Sequence, residues 1–287
     1  MRKLSFLLLL MMLCLSASPV RADTKGDFAF SVKNGRATLT AYTGSADHLT
    51  VPDTLGGYPV TAISYCAFRD CAALLSVALP GSVTTIGSNA FENCASLSQI
   101  ILPDSLAYIG THAFYGCVSL EQIAFPESLE RLHPYAFYGC SADRLCGLQS
   151  RAALVLTDYG YSFISPDYPQ LSLTAHENAE GIRTFTVTDC EESAVSVSFP
   201  DGVTLIDGYA FFDCASLEEI TLPSGAAEIA YSAFEGCVSL KEITIPASVV
   251  RIADDAFARC QSVTLIAPEG SAGHAFAQEN GYAWRAP

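Results

Sequence analysis

The chain has 287 residues; half are apolar, 30 are acidic and only 15 are basic. That apolar share excludes intrinsic disorder and supplies core for one or two domains. A formal charge of −15 excludes long-range attraction to nucleic acid or an anionic membrane surface.

The first element is an export signal over residues 1–22. Arg2 and Lys3 precede an apolar run, Leu4 to Leu15, that is short for a bilayer span, and Val20-Arg21-Ala22 has the small-x-small form of a cleavage site. Cleavage is expected after Ala22. An uncleaved anchor is the alternative, while a lipobox at Cys14 is disfavoured by Leu13, where a small residue belongs. The signal takes three basic residues with it, leaving 12 basic against 30 acidic, a net of −18. Residues 23–164 hold 7 basic and 12 acidic side chains, whereas 165–287 hold 5 and 18. No second apolar stretch follows, so the mature product is expected at the cell surface or secreted, without a membrane span.

Lys33-Asn34-Gly35 signals a hairpin turn. A repeat then takes over. Ala-Phe pairs carry Phe68, Phe91, Phe114 and Phe137 at a spacing of 23, and resume with Phe211, Phe234 and Phe257 at the same step. Three residues after each ring stands a cysteine: Cys71, Cys94, Cys117, Cys140, Cys214, Cys237 and Cys260. Between these markers runs Leu-x-x-Ile/Val-x-apolar-Pro, as in Leu97 to Pro103 and Leu240 to Pro246. Its alternation predicts a short strand, which proline ends for want of an N–H. The Ala-Phe segment fits a tight helical or 3-10 turn that drops a ring into the core. One such unit cannot bury its own apolar face, but a stack can, placing each side chain beside its counterpart one repeat on.

The step from Cys140 to Cys214 is not a whole number of repeats, which breaks the period. The sequence between them explains the break. Ser150 to Gly160 mirrors Ser271 to Gly281, each reading as a serine-capped helix ended by glycine and followed by a short aromatic strand. Such an element covers the open end of a stack. Ser165-Pro166 to Pro169 reads as the joint, and Glu177-Asn178 with Gly181 as a second, weaker hairpin signal. The expected organisation is therefore two tandem arrays, 23–164 and 165–287, each closed by a short capping helix. One continuous solenoid with an insertion is the alternative.

The pattern Leu-x-x-Ile-x-apolar-Pro-x-Ser-Val-x-x-Ile-Gly-x-x-Ala-Phe-x-x-Cys resembles the BspA-type (treponemal-type) leucine-rich repeat over residues 51–140 and 195–266. The lead-in from Ala37 to Gly44, and Gly56 to Ile63, resembles that family's opening. Ala226 to Ile229 and Arg131 to His133 depart from the pattern, lacking its Thr or Gly. The resemblance implies a β-dominated leucine-rich-repeat solenoid outside the cell or at its surface, of the kind described as adhesion or host-interaction proteins.

The ten cysteines beyond the signal invite a disulfide framework, yet seven are locked to one repeat position, which is a packing signature. In-register Cβ vectors oppose bridging, so a reduced ladder is expected. Cys66, Cys146 and Cys190 lie off the ladder and are better disulfide candidates; Cys66 with Cys71 and Cys140 with Cys146 are the local pairs. His48, His112, His133, His176 and His274 are scattered, with no metal-ligand spacing. No nucleophile elbow, phosphate loop or paired catalytic residue occurs. Neither cofactor, metal nor catalysis is expected.

A partner is expected on the variable strand positions, namely Gln99, Ile101, Gln122, Ala124, Glu219, Thr221, Glu242 and Thr244, with Tyr115 and Tyr138 as a neighbouring aromatic pair. The expected function is binding of an extracellular or cell-surface protein. A carbohydrate-binding accessory protein is the alternative, and a hydrolase the least supported class.

Overall fold

The computed structural model describes residues 21–133, 135–140, 142–147 and 149–287. The proposed export signal lies outside the described residues except for Arg21 and Ala22, which begin the strand Arg21–Lys25. The described residues fall into two compact units. One holds residues 21–119 and 135–140; the other holds 120–133, 142–147 and 149–287.

The first unit opens with three antiparallel strands, Arg21–Lys25, Phe28–Lys33 and Arg36–Tyr42. The turn between the last two has Asn34 at φ 52° and Gly35 at φ 71°, the two positive angles of a type I′ hairpin. From Arg36–Tyr42 onward the pairing is parallel, through Tyr58–Ile63, Thr85–Ile86 and Tyr108–Ile109. A second sheet stacks His48–Thr50, Ser76–Ala78 and Gln99–Ile101 in parallel, with Ser76 opposite Gln99 and Val77 opposite Ile100. The partners in Ser76–Ala78 and Gln99–Ile101 occupy the same position of successive repeats, so the repeat length is the register. Val77, Ile86, Ile100 and Ile109 point inward and are buried.

Between the sheets the Ala-Phe segment forms a ribbon of tight turns. Its amides alternate in destination. Ala90, Glu92 and Cys94 donate back to the carbonyls three residues earlier, in 3-10 fashion, while Asn89, Phe91 and Asn93 donate to Thr111, Ala113 and Tyr115 of the next repeat. The alternation requires a left-handed backbone on each side of the ring. Asn89 has φ 57°, Asn93 φ 59°, His112 φ 53° and Gly116 φ 70°. Asn and Gly suit that region; His does so less well, and is held there by the bonds of its neighbours. The rings consequently stack. Phe68, Phe91, Phe114 and Phe137 follow one another at 4.8, 5.3 and 5.1 Å between centroids, within 3° of parallel. Tyr42 packs on Phe68 at the start of the column.

In the second unit one sheet runs through Gln122–Ala124, Asp143–Leu145, Phe163–Ser165, Tyr168–Glu177, Arg183–Cys190, Val203–Ile206, Glu228–Ile229 and Arg251–Ile252. Tyr168–Glu177 pairs antiparallel with its neighbours on both sides. Helix α1 (Arg151–Asp158) is capped at Ser150, whose hydroxyl accepts from the Ala153 amide, and its Ala152, Ala153 and Leu156 are buried. It packs against Tyr168–Glu177, where the Thr157 hydroxyl accepts from the Ala175 amide. A second sheet stacks Glu219–Thr221, Glu242–Thr244, Thr264–Ile266 and Ala283–Arg285 in parallel. Phe211, Phe234 and Phe257 form a second column at 4.8 and 5.4 Å. Helix α2 (Ala272–Asn280) runs from its cap at Ser271 to Gly281 at φ 73°. It closes the column edge-on: Phe276 meets Phe257 at 61°, and Tyr282 joins them.

Phe91 is wholly buried between two stacked rings. Truncation to Phe91→Ala is expected to cost about 3–5 kcal/mol, because a cavity opens where neither neighbour can collapse. Urea unfolding checks it through a lowered midpoint.

Candidate binding surface

The strand face of the second unit is built from residues whose neighbours point inward. Ile220 and Ile243 are buried, so Glu219, Thr221, Glu242 and Thr244 project from the opposite face of the same strands. All four line one open cleft of about 240 Å³, together with Ser196, Val197, Ile220 and Ile266. An adjoining cleft of about 430 Å³ is lined by Val195, Ser196, Glu218, Glu219, Lys241 and Glu242. Together they present a short row of carboxylates and hydroxyls beside the exposed Val195.

Charge on this face is mostly paired between strands of the stack. Lys241 Nζ donates to Glu218 Oε2 at 2.6 Å, which holds the Glu218 carboxyl below the usual carboxylate range. Arg285 donates to Glu242 at 3.0 Å. Glu219 has no ion-pair partner among the described residues and is exposed. It is the one acid of this row left to an incoming group.

In the first unit, Gln99 and Ile101 project from their strand with Ile101 58% exposed. They line a smaller cleft, about 120 Å³, with His48, Leu49, Thr50, Ser76, Val77 and Ala78. The His48 ring and the Ser76 hydroxyl share a 2.7 Å hydrogen bond there. Gln122 and Ala124 belong to the second unit, where their strand pairs with Asp143–Leu145 rather than with the strands of the Glu219 row. Tyr115 and Tyr138 stack in the first unit at 5.8 Å and 6°, with Tyr138 62% exposed; His112 packs edge-on against Tyr115.

Residues 195–197 carry only part of the repeat motif, Val197-Ser198-Phe199-Pro200, with Ala194 in the place of the leucine. Ser196 stands one repeat before Glu219, in the place of the missing rung. The period would have found it.

Four of the ladder thiols are clamped by a backbone carbonyl. Cys94 Sγ donates to the Phe68 carbonyl at 3.0 Å, Cys117 to Phe91 at 3.1 Å, Cys237 to Phe211 at 3.0 Å and Cys260 to Phe234 at 3.1 Å. The N–H of the preceding ladder cysteine donates to the same carbonyl, as Cys71 does to Phe68 and Cys94 to Phe91. Burial pushes the Cys94 thiol up to about 12 and that of Cys260 to about 11. All ten cysteines of the described residues are free thiols, so neither Cys66 with Cys71 nor Cys140 with Cys146 is bridged. Among the described residues no group of three His, Cys, Asp or Glu could hold a metal ion, and no helix is long and apolar enough to cross a membrane.

Comparison with known proteins agrees with this architecture. The BspA type Leucine rich repeat region matches in 6 copies over residues 42–149 and 172–273, which is most of the chain. The protein is therefore a leucine-rich-repeat protein, and it belongs to the BspA-type family. No curated protein matches it. Among solved structures it is similar to a leucine-rich-repeat protein of T. pallidum, with 24% identity over 92% of this chain and 98% of that one, at a TM-score of 0.37. A leucine-rich-repeat protein of Bacteroides capillosus is 33% identical over 42% of this chain and 93% of its own, with a TM-score of 0.39. A leucine-rich cell surface protein of Faecalibacterium prausnitzii is 23% identical over 94% of this chain and 96% of its own, with a TM-score of 0.32. Proteins built of such repeats are interaction scaffolds, which present one extended repeated surface to a partner.

The raised thiol values carry a sign. In the unfolded chain these thiols ionise near their ordinary value of 9, while folded Cys94 stays protonated to about 12. Their contribution to stability is therefore fully present below pH 9 and is lost as pH rises from 9 towards 12. Melting followed by circular dichroism is expected to show a midpoint falling across that window, with less fall in Cys94→Ala.

Proposed function

We propose that the protein is exported and binds a polypeptide at or outside the cell surface, as an adhesion-type scaffold without catalytic activity. The observation that carries this reading is the Glu219 row. Four strands stand in parallel register, the outward positions of two of them line a single cleft, and one carboxylate is left unpaired. A partner suited to it brings a lysine or arginine to Glu219 and an apolar group to Val195, which is 59% exposed. The surplus of acid over base in residues 165–287 draws such a segment in and makes capture sensitive to salt. The division into arrays over 23–164 and 165–287 fits this reading, since it gives the two strand faces different chemistry.

A glycan is the second reading, favoured by the exposed Tyr138 stacked on the half-buried Tyr115.

The full chain is to be applied to an array of basic and neutral peptides and to a glycan array. Capture by basic peptides is expected, weakening as salt is raised, and Glu219→Lys is expected to weaken it about tenfold. Equal capture by wild type and Glu219→Lys overturns the polypeptide reading. Retention on glycans that disappears in Tyr138→Ala supports the second reading in its place.

A further inference from the structure

Cys214 occupies the ladder position but lacks the ladder clamp. Its counterparts Cys94, Cys117, Cys237 and Cys260 each donate to the carbonyl of the phenylalanine 26 residues earlier. Cys214 is the first rung of its column, and at the same distance before it stands Thr188, inside the strand Arg183–Cys190. Its sulfur turns instead toward the Glu191 carbonyl at 4.0 Å. Cys190, which ends that strand, points its own sulfur at the same oxygen from 3.7 Å. Two thiols converge on one carbonyl.

Each thiol also shifts the ionisation of the other. Cys190 is held well above the ordinary thiol value, first by the Cys214 thiol and then by burial, whereas Cys190 lowers Cys214. The Glu191 oxygen does not depend on either thiol, since it accepts the Ala194 amide at 2.9 Å. Losing both S–H groups therefore leaves no buried acceptor stranded.

Register supplies the remaining condition. Successive ladder cysteines are one full repeat apart. Cys190 stands one residue off that register relative to Cys214. It is thus a neighbour one rung away to which the in-register objection to bridging does not apply, and both sulfurs approach the same Glu191 carbonyl.

We infer that Cys190 and Cys214 are a redox site, forming a disulfide that ties the strand Arg183–Cys190 to the first turn of the second phenylalanine column. The oxidant is another disulfide, either a small-molecule one or that of a thiol oxidoreductase. One thiolate attacks a sulfur of the oxidant and releases its first thiol; the second cysteine then attacks the mixed disulfide and releases the other. The protein gives up two electrons and two protons, and the oxidant becomes two thiols. Cys190 is 5% exposed and Cys214 wholly buried, so the exchange proceeds through local opening of the strand end. The clamped ladder thiols stay reduced under the same conditions.

The test uses the full chain equilibrated with oxidised glutathione, quenched in acid, alkylated under denaturant and mapped by mass spectrometry after cleavage at acidic residues. One bond is expected, joining Cys190 to Cys214, with the other eight described cysteines alkylated. The melting midpoint of the oxidised protein is expected to lie several degrees above that of the reduced protein, because a closed loop restricts the unfolded chain. Cys190→Ser, whose substitution lies at a strand end, is expected to fold, form no bond and show no such difference; Cys94→Ser is expected to form the bond as wild type does. A bond between any other pair, a chain that stays fully reduced, or a midpoint difference retained in Cys190→Ser overturns the inference.

Discussion

Everything in this protein depends on one backbone constraint: the amide of each core phenylalanine donates to the carbonyl of the alanine that precedes the next phenylalanine. Phe68 reaches Ala90, Phe91 reaches Ala113, and Phe211 reaches Ala233, at 2.7 to 2.8 Å. The bond fixes the repeat length, because an insertion or deletion of one residue would move a ring out of its column. It also fixes the ring spacing, which lies between 4.8 and 5.4 Å throughout both columns. Stacking adds about 0.5–1.5 kcal/mol per pair beyond the burial of the rings themselves. The cysteine follows from the same geometry: a small side chain with a weak donor fits under the turn and answers the carbonyl of the previous ring.

Much of this was legible in the sequence. A ring, an alanine and a cysteine recurring together at one fixed interval specify a stack, and the short alternating runs with a terminal proline specify its strands. Asn34-Gly35, Ser150 and Ser271 announced a turn and two helix caps through side-chain chemistry that acts locally. The left-handed residues flanking each ring were only half legible. Asn89, Asn93, Gly116 and Gly236 suit positive φ, but Cys66, Tyr209, Ser232 and Arg259 occupy the same class of position at φ 49° to 62°. For Cys66, Tyr209 and Ser232 the amide donates into the next repeat, to Ser88, Tyr231 and Asp255, a constraint that no local propensity encodes. Likewise, the convergence of Cys190 and Cys214 depends on how a strand end meets the first turn of the column, a relation that no spacing motif describes.

The proposed binding face is a consequence of the stack rather than an addition to it. Because inward positions are committed to the core, the outward ones are free to vary in chemistry while keeping a fixed spacing. The second unit spends that freedom on carboxylates and threonines, pairing most of its charges between strands of the stack and leaving Glu219 open. The first unit presents glutamine, isoleucine and a tyrosine pair. Interaction scaffolds of this kind derive specificity from such rows, in which each side chain is modest and their arrangement is rigid.

Hydrogen exchange followed residue by residue on the full chain tests the central constraint most directly. If the bonds between repeats hold the structure together, the amides of Phe68, Phe91, Phe114, Phe211 and Phe234 exchange only through global unfolding, giving a protection pattern that recurs once per repeat. Protection without that period, or phenylalanine amides that exchange as fast as the exposed turns, would contradict it.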